Sequence, residues 1–407
     1  MAGNASGATA TVVSSAPTNA SEAKTPKPLH HQCSLAPYAS AQELNAARVA
    51  FFNKNVSLAL EAMQEEKDAN PAYSPPPTTA FISPQDQLLV CRVYETRIAI
   101  YIKTFKLDES VHATAVSLFK RFYLRQALFN HDPRHILLAS IFLAAKAENS
   151  YLPLADFLVK VPAASRPSQE AMWDKELVVA DVCGFQFGAG AGGGGGGHVH
   201  WPLHGLFLDL QLTPSKTKQT YYTNLHTPLG AKQTLEDARA GKEKLKQALT
   251  LLVALYTRAK ELATLSICSD LSLTHWSSQI ALGCFRLAAT EQGPEARAEM
   301  DRYISFRITW VDTDTLVGLH AKLDEVAEAL VAQAEFEKMA KDGKSAVSVK
   351  AKEINARLQG CLNPEFLEDS KLHEKRKRAE EEAKEAKRQK KMKKEKASMD
   401  ALENVFI

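Results

Sequence analysis

Between Ile136 and Ala145 the chain reads "ILLASIFLAA", ten residues with one polar side chain, Ser140. A helix apolar on every side cannot lie on a surface, so this segment has to be the centre of a bundle with other helices packed around it. It ends at Lys146, within "LAAKAEN" (Leu143 to Asn149). Lysine is almost never fully buried unless paired, so Lys146 either marks the point where the helix surfaces or is aimed at a partner. A second segment of the same kind lies 144 residues further on. Ile136, Leu138, Leu143, Ala144 and Ala145 recur as Ile280, Leu282, Leu287, Ala288 and Ala289, which aligns "ILLASIFLAAK" with "IALGCFRLAAT". Two copies of one helical domain are therefore expected. The lysine is not repeated, its counterpart being Thr290, and that difference favours a specific partner for the first copy.

Start and stop signals divide the remainder. Residues 1–38 are mostly Ala, Ser, Thr, Asn and Pro, too poor in large apolar groups to offset the entropy of ordering, and read as a disordered leader. Ser40 with Glu43 forms a capping-box signature opening a helix through Leu44, Ala47 and Phe51, in an N-terminal helical extension over 39–82 that ends in a proline-rich gap. The first repeat, 83–187, opens with Ser83 as cap, Pro84 at the first helical position and Asp86 in the first turn, followed by Leu89, Val93, Ile100 and Phe105. Its second helix follows Asp108, with Val111, Ala115, Leu118, Phe119 and Phe122 as a core-facing stripe. Asp132 and Pro133 open the third, which runs into Lys146; a short fourth spans Leu154 to Val159 and must stop near Pro162; the fifth runs from Gln169 to Cys183. The run "GAGAGGGGGGH", Gly188 to His198, behaves as flexible coil and marks a linker over 188–201. The second repeat follows over 202–335, then a C-terminal extension over 336–407 with a basic tail. The expected fold class is all-α: two tandem five-helix repeats with helical extensions and disordered tails.

Composition narrows the function. At 45% hydrophobic the 407 residues can bury real cores. No apolar run approaches the ~18 residues that span a bilayer, and the first forty residues lack a secretory apolar stretch, so neither a membrane partner nor secretion is expected. Six scattered cysteines without a C-x-x-C pair argue against a disulfide framework and a structural zinc site and for a reducing compartment. His198, His200 and His204 have metal-like spacing, but Pro202 lies between them and the glycines give no rigid frame; no metal and no cofactor is expected. The glycine run lacks the G-K-[ST] ending of a phosphate loop, and no hydrolase, metalloprotease or kinase signature is present, so the chain is not read as an enzyme. The 13 basic and 6 acidic residues from Lys371 to Lys396 give that segment +7 and leave −4 on the rest, so the folded part is no footprint for nucleic acid. Within the tail, Lys375, Arg376, Lys377 and Arg378 form one basic cluster and Lys387, Arg388, Lys390 and Lys391 lie in a second. Glutamates interleaved with good helix formers suit a solvated charged helix; two separated clusters suit a nuclear import signal, and the nucleus is the expected location.

The stretch "ATAVSLFKRFYLRQALFNHDPRHILLASIFLAAKAEN", Ala113 to Asn149, resembles the cyclin box, most closely that of the transcription-linked cyclins, where F-K-R-F-Y precedes a central buried helix ending in lysine. "RVYETRI" (Arg92 to Ile98), "HGLFLDL" (His204 to Leu210) and "SSQIAL" (Ser277 to Leu282) are similar to the corresponding segments of the H-type cyclins. The likeness covers roughly residues 40–335; the glycine run and the stretch from Leu212 to Ala240 are longer than the family pattern. The resemblance implies two five-helix repeats, the first packing on the regulatory helix of a cyclin-dependent kinase. The family's paired lysine and glutamate fall on Lys146 and Glu176, and its adjoining apolar contacts on Phe185 and Phe187. By position alone both phenylalanines would be core residues; the resemblance assigns at least one of them to the interface. An ammonium and a carboxylate held side by side can donate to and accept from a partner backbone through charge-assisted bonds. A clamp of this kind holds the kinase helix inward, which kinases need before phosphoryl transfer.

The implied partner is the catalytic subunit of a CDK-activating kinase, acting on kinase activation loops and the RNA polymerase II tail, with an assembly factor and TFIIH as further partners and no direct nucleic acid. Two other members of the fold remain as alternatives, a C-type cyclin of the Mediator kinase module and a TFIIB-like DNA-binding factor. The second wants a basic folded region and a zinc ribbon.

Overall fold

The computed structural model describes residues 38–77, 81–150, 152–188, 198–212, 235–308, 312–367 and 369–403. Of the expected disordered leader and glycine-rich linker, residues 1–37 and 189–197 lie outside these. All regular structure among the described residues is helical. Helix α1 (Ala41–Ala69) precedes a first bundle of α2 (Pro84–Phe105), α3 (Glu109–Arg125), α4 (Pro133–Ala147), α5 (Leu154–Val159) and α6 (Gln169–Val182). The second bundle holds α7 (His200–Leu212), α8 (Leu235–Ile267), the one-turn α9 (Leu271–Thr274), α10 (Ser277–Gln292), α11 (Pro294–Arg307) and α12 (Thr313–Lys341). Helices α13 (Ala346–Leu358) and α14 (Lys371–Glu403) complete the chain.

The helices start where the punctuation places them. The Ser83 hydroxyl accepts from Asp86 N and the Asp86 carboxylate accepts from Ser83 N, a complete capping box on α2. Asp132 Oδ1 accepts from Arg134 N to open α4. On α1 the box is displaced: Ser40 caps Glu43 N, but the Glu43 carboxylate takes the amide of Ala39 rather than that of Ser40. Residues 136–145 of α4 are buried throughout, ringed by α2, α3 and α6. The stripe Val111, Ala115, Leu118, Phe119 and Phe122 is fully buried against it. Ile100, one of the apolar positions read along α2, is exposed.

Helix α10 occupies the same central place in the second bundle, surrounded by α7, α8, α11 and α12, so the repeat at an offset of 144 residues is a repeat of structure. One position differs in kind. The counterpart of Phe142 is Arg286, buried, with its guanidinium donating to Asp301 Oδ1 at 2.8 Å and Asp324 Oδ1 at 2.6 Å, the pairing that a buried charge requires. Helices α10 and α12 touch at Gly283, where an added Cβ would sit 2.5 Å from Cγ1 and 2.9 Å from Cβ of Val326. Valine on a helix has little rotamer freedom to give way. Gly283→Ala is expected to destabilise by about 1–3 kcal/mol, seen as a lower urea midpoint at unchanged slope; an unchanged midpoint would show that the two helices can part without cost.

Two polar seams join the repeats. In the first, Lys120 Nζ of α3 lies 2.5 Å from Glu95 Oε2 of α2, with both side chains only 3% exposed. The same ammonium donates to the Cys268 carbonyl at the end of α8 (3.2 Å) and lies 3.8 Å from Asp270, which Arg48 of α1 also reaches at 2.6 Å. Burial pushes the Glu95 carboxyl up, against the pull of Lys120. Burial also opposes ionisation of Asp270, but Lys120 and Arg48 outweigh it and hold that carboxyl below its usual range.

In the second seam Glu109, at the start of α3, faces His200 Nε2 at 3.2 Å and accepts from the Thr264 hydroxyl of α8. The contact with His200, aided by Thr264, outweighs burial and lowers the carboxyl to about 2. A carboxyl depressed in the folded state stabilises above its unfolded pKa of about 4.3, and this contribution fades as pH falls toward 2. Because Glu109 is 40% exposed, solvent screening cuts the contribution to about 1 kcal/mol or less. Acid titrations of stability for the parent and Glu109→Gln should therefore converge between pH 5 and 2; parallel curves would show that the carboxylate contributes nothing.

The C-terminal segment is fastened to the first bundle. Arg92 of α2 lies 3.8 Å over the Phe336 ring and bonds Gln333 on α12. Asn363 donates to Asn130, which donates to Asn55 of α1. Glu66 of α1 accepts from the amides of Lys371 and Leu372, capping α14, and Leu372 is buried.

Candidate functional site

Lys146 sits in the last turn of α4, where a cation complements the helix dipole. The helix closes with Asn149 left-handed (φ +57°) and Ser150 N donating to Ala145 O at 2.8 Å. Glu148, two residues past the lysine, is held from two sides: the Thr114 hydroxyl donates to it at 2.6 Å and His198 Nε2 lies 3.5 Å away. The end of α4 is thus pinned, and Lys146 leaves it in a fixed direction, its ammonium 4.4 Å over the ring of buried Phe142.

The partner is Glu176. Helix α6 is capped by Ser168 and buries Met172, Val179 and Ala180 against the bundle. Glu176 lies on its other side, within 2.8 and 2.9 Å of Lys146 Nζ through its two oxygens. Lys146 is 40% exposed and Glu176 17%. Lys146 therefore marks the end of the buried helix and also holds a partner. Both groups keep free donor and acceptor capacity toward solvent.

An apolar surface flanks the pair. Trp173 and Leu177 stand one turn apart on α6, with Glu176 on the same face, and both are exposed. Neither was singled out in the sequence, although their i, i+3, i+4 spacing with Glu176 carried the signal. Beyond α6, Gly184 (φ +65°) and Phe185 (φ +56°) are both left-handed, and Phe185 N returns to Ala180 O at 2.8 Å. This turn points Phe185 into solvent, while Phe187, 6.4 Å away between ring centroids, is half-buried on the core.

The remaining candidates lie elsewhere. His198, His200 and His204 diverge to Glu148, Glu109 and the Tyr256 hydroxyl, and among the described residues no group of three potential metal ligands gathers. Of the first basic cluster, Arg376 pairs with Glu365 and Glu65 and Arg378 with Glu374, while Lys375 and Lys377 are exposed. In the second cluster Lys387, Arg388, Lys390 and Lys391 are all exposed.

A five-helix bundle whose central helix surfaces in a lysine paired to the fifth helix, followed by a second bundle of the same plan, is the cyclin fold. Residues 92–186 of the chain match the family model "Cyclin, N-terminal domain". Its relatives are cyclins of the H type. Cyclin CCL1 of Saccharomyces cerevisiae is 27% identical over 172 residues, 42% of this chain and 40% of the yeast protein. Cyclin-H of Xenopus laevis is 39% identical over 69 residues, 16% of this chain and 21% of that protein, and cyclin mcs2 of Schizosaccharomyces pombe is 24% identical over 191 residues, 44% and 54%. In each case less than two thirds of the relative's own length is spanned. A chain in the structure of the CAK complex of Chaetomium thermophilum bound to ATP-gamma-S shares the fold, with a TM-score of 0.63 and 18% identity over 86% of this chain and 92% of that one.

Proposed function

We propose that the chain is the activating, non-catalytic subunit of a CDK-activating kinase. In this reading it binds the catalytic subunit of a cyclin-dependent kinase through the first repeat and supports phosphorylation of CDK activation loops and of the RNA polymerase II C-terminal domain. An assembly factor and TFIIH are further partners. The observation that carries the proposal is the Lys146–Glu176 pair with Trp173, Leu177 and Phe185 beside it. Large exposed aromatic and aliphatic side chains around fixed polar groups have the composition of a binding hot spot. The paired charges suit main-chain groups of a partner helix or strand, and a partner held there would keep its own catalytic ion pair assembled. The H-type relatives support the choice of kinase. Reconstitution tests it: purified chain added to the catalytic subunit of a CDK-activating kinase should stimulate phosphate transfer to both an activation-loop peptide and a polymerase-tail peptide. A folded chain that stimulates neither would refute the reading.

The proposed location is the nucleus, through the two basic clusters. Removing all of 371–396 would strip buried Leu372 and leave buried Glu66 without the two amides that donate to it, so the cut belongs after Ala386. A fluorescent fusion ending there is expected to leave the nucleus when expressed without its kinase; a fusion that stays nuclear would remove the second cluster from the import signal.

A further inference from the structure

From Ala386 to Lys394, α14 carries six basic residues (Lys387, Arg388, Lys390, Lys391, Lys393, Lys394) and no acidic one. Upstream, Glu374, Glu380, Glu381, Glu382 and Glu385 offset the basic side chains. From Lys387 to Lys393 the basic side chains are exposed, and among the described residues only Lys391 meets a carboxylate, Glu395 at 3.8 Å. Lys387 and Lys391 are one turn apart, as are Lys390 and Lys394, and like charges at that spacing destabilise a helix by about 0.2–0.5 kcal/mol per pair. A helix serving solubility alone would set opposite charges four residues apart, as Arg376, Lys377 and Arg378 are spaced from Glu380, Glu381 and Glu382 upstream. This stretch concentrates like charge that a dense external anion would offset.

The root of the helix is fixed. Glu66 caps it, Leu372 is buried and Arg376 is tied to Glu365 and Glu65. At about 1.5 Å per residue, Lys387 stands roughly 22 Å along the axis from Leu372. The six charges then span about 10 Å, close to one per 2 Å, against one phosphate per ~1.7 Å of duplex axis. The segment 371–403 contains no Phe, Tyr or Trp on which an unpaired base could stack, so it offers little to a single strand. An acidic peptide lacks the condensed counterions whose release drives binding to a polyphosphate.

We propose that the distal half of α14 is a nucleic-acid-binding arm that engages the phosphate backbone of a duplex without reading its sequence. The function is separate from kinase activation and uses none of the residues around Lys146. Anisotropy of a short fluorescent DNA duplex titrated with the full-length chain tests it. With about five phosphates contacted, log K should fall against log salt with a slope of about −4.5, a loss of roughly 500-fold between about 50 and 200 mM. A duplex of shuffled sequence should bind equally. Combining Lys387→Gln, Arg388→Gln, Lys390→Gln, Lys391→Gln and Lys393→Gln should flatten the slope toward zero, while Lys375→Gln with Lys377→Gln should leave it unchanged. No binding by the parent chain at the lower salt, an unchanged slope in the fivefold variant, or competition by polyglutamate as effective as that by unlabelled duplex would each overturn the proposal.

Discussion

Replacing Lys120 with methionine, which keeps the length of the side chain, is expected to cost about 3–5 kcal/mol of stability, because breaking a buried ion pair leaves an uncompensated charge. Glu95 would be stranded at 3% exposure. The Cys268 carbonyl would lose its donor, and Asp270 one of its two cations. Since methionine fills most of the volume, the loss reports charge rather than a cavity. The deficit also has a pH signature. Burial already raises the Glu95 carboxyl, and loss of Lys120 raises it further, so the folded variant favours the protonated acid. Stability is then retained below the unfolded carboxylate range and lost as pH rises through the folded value. Adding Glu95→Leu should restore most of the loss and abolish the pH dependence, since apolar replacement of a buried pair is often neutral. Urea midpoints across pH decide: a single variant within about 0.5 kcal/mol of the parent would mean that the pair is solvated in solution.

Lys120 also shows where reading the sequence stops. It lies in "FKRFY", beside the fully buried stripe of α3, and nothing local distinguishes it from the half-buried Arg121 next to it. Its partners lie on α2, at the end of α8 and in the turn before α9, and only the packing of two repeats brings them together. Local signals were legible because they are local: the Ser83 capping box, the Asp132 cap and the wholly apolar α4 depend on residues within a few positions of one another. Positions near a helix edge were read less well. On α1, Phe52 enters the core rather than Phe51, and Ile100 on α2 faces solvent. The Lys146–Glu176 pair joins residues 30 positions apart, and family resemblance, not periodicity, put them together. Phe185 would be a core residue by pattern; two consecutive left-handed residues turn it outward, and that geometry has no apolar signature.

Lys146→Ala and Glu176→Ala are each expected to weaken kinase binding by about 2–5 kcal/mol, much of it from leaving the other charge unpaired in a desolvated interface. Folding of the Lys146→Ala variant should change little, because Lys146 is 40% exposed in the free chain and exposed substitutions usually shift stability by less than about 0.5 kcal/mol. Residues in one network are not additive, so the double variant should cost clearly less than the two singles together. Thr290 supplies the internal control. It occupies the place of Lys146 in the second repeat, where its hydroxyl donates to Arg286 O and accepts from Arg297, contacts confined to that repeat. The dissociation constants of Lys146→Ala, Glu176→Ala, the double variant and Thr290→Ala for the kinase catalytic subunit test the clamp most directly. Large single losses, a sub-additive double and an inert Thr290→Ala are the expected result; strictly additive losses, or a Thr290→Ala effect as large as that of Lys146→Ala, would contradict it.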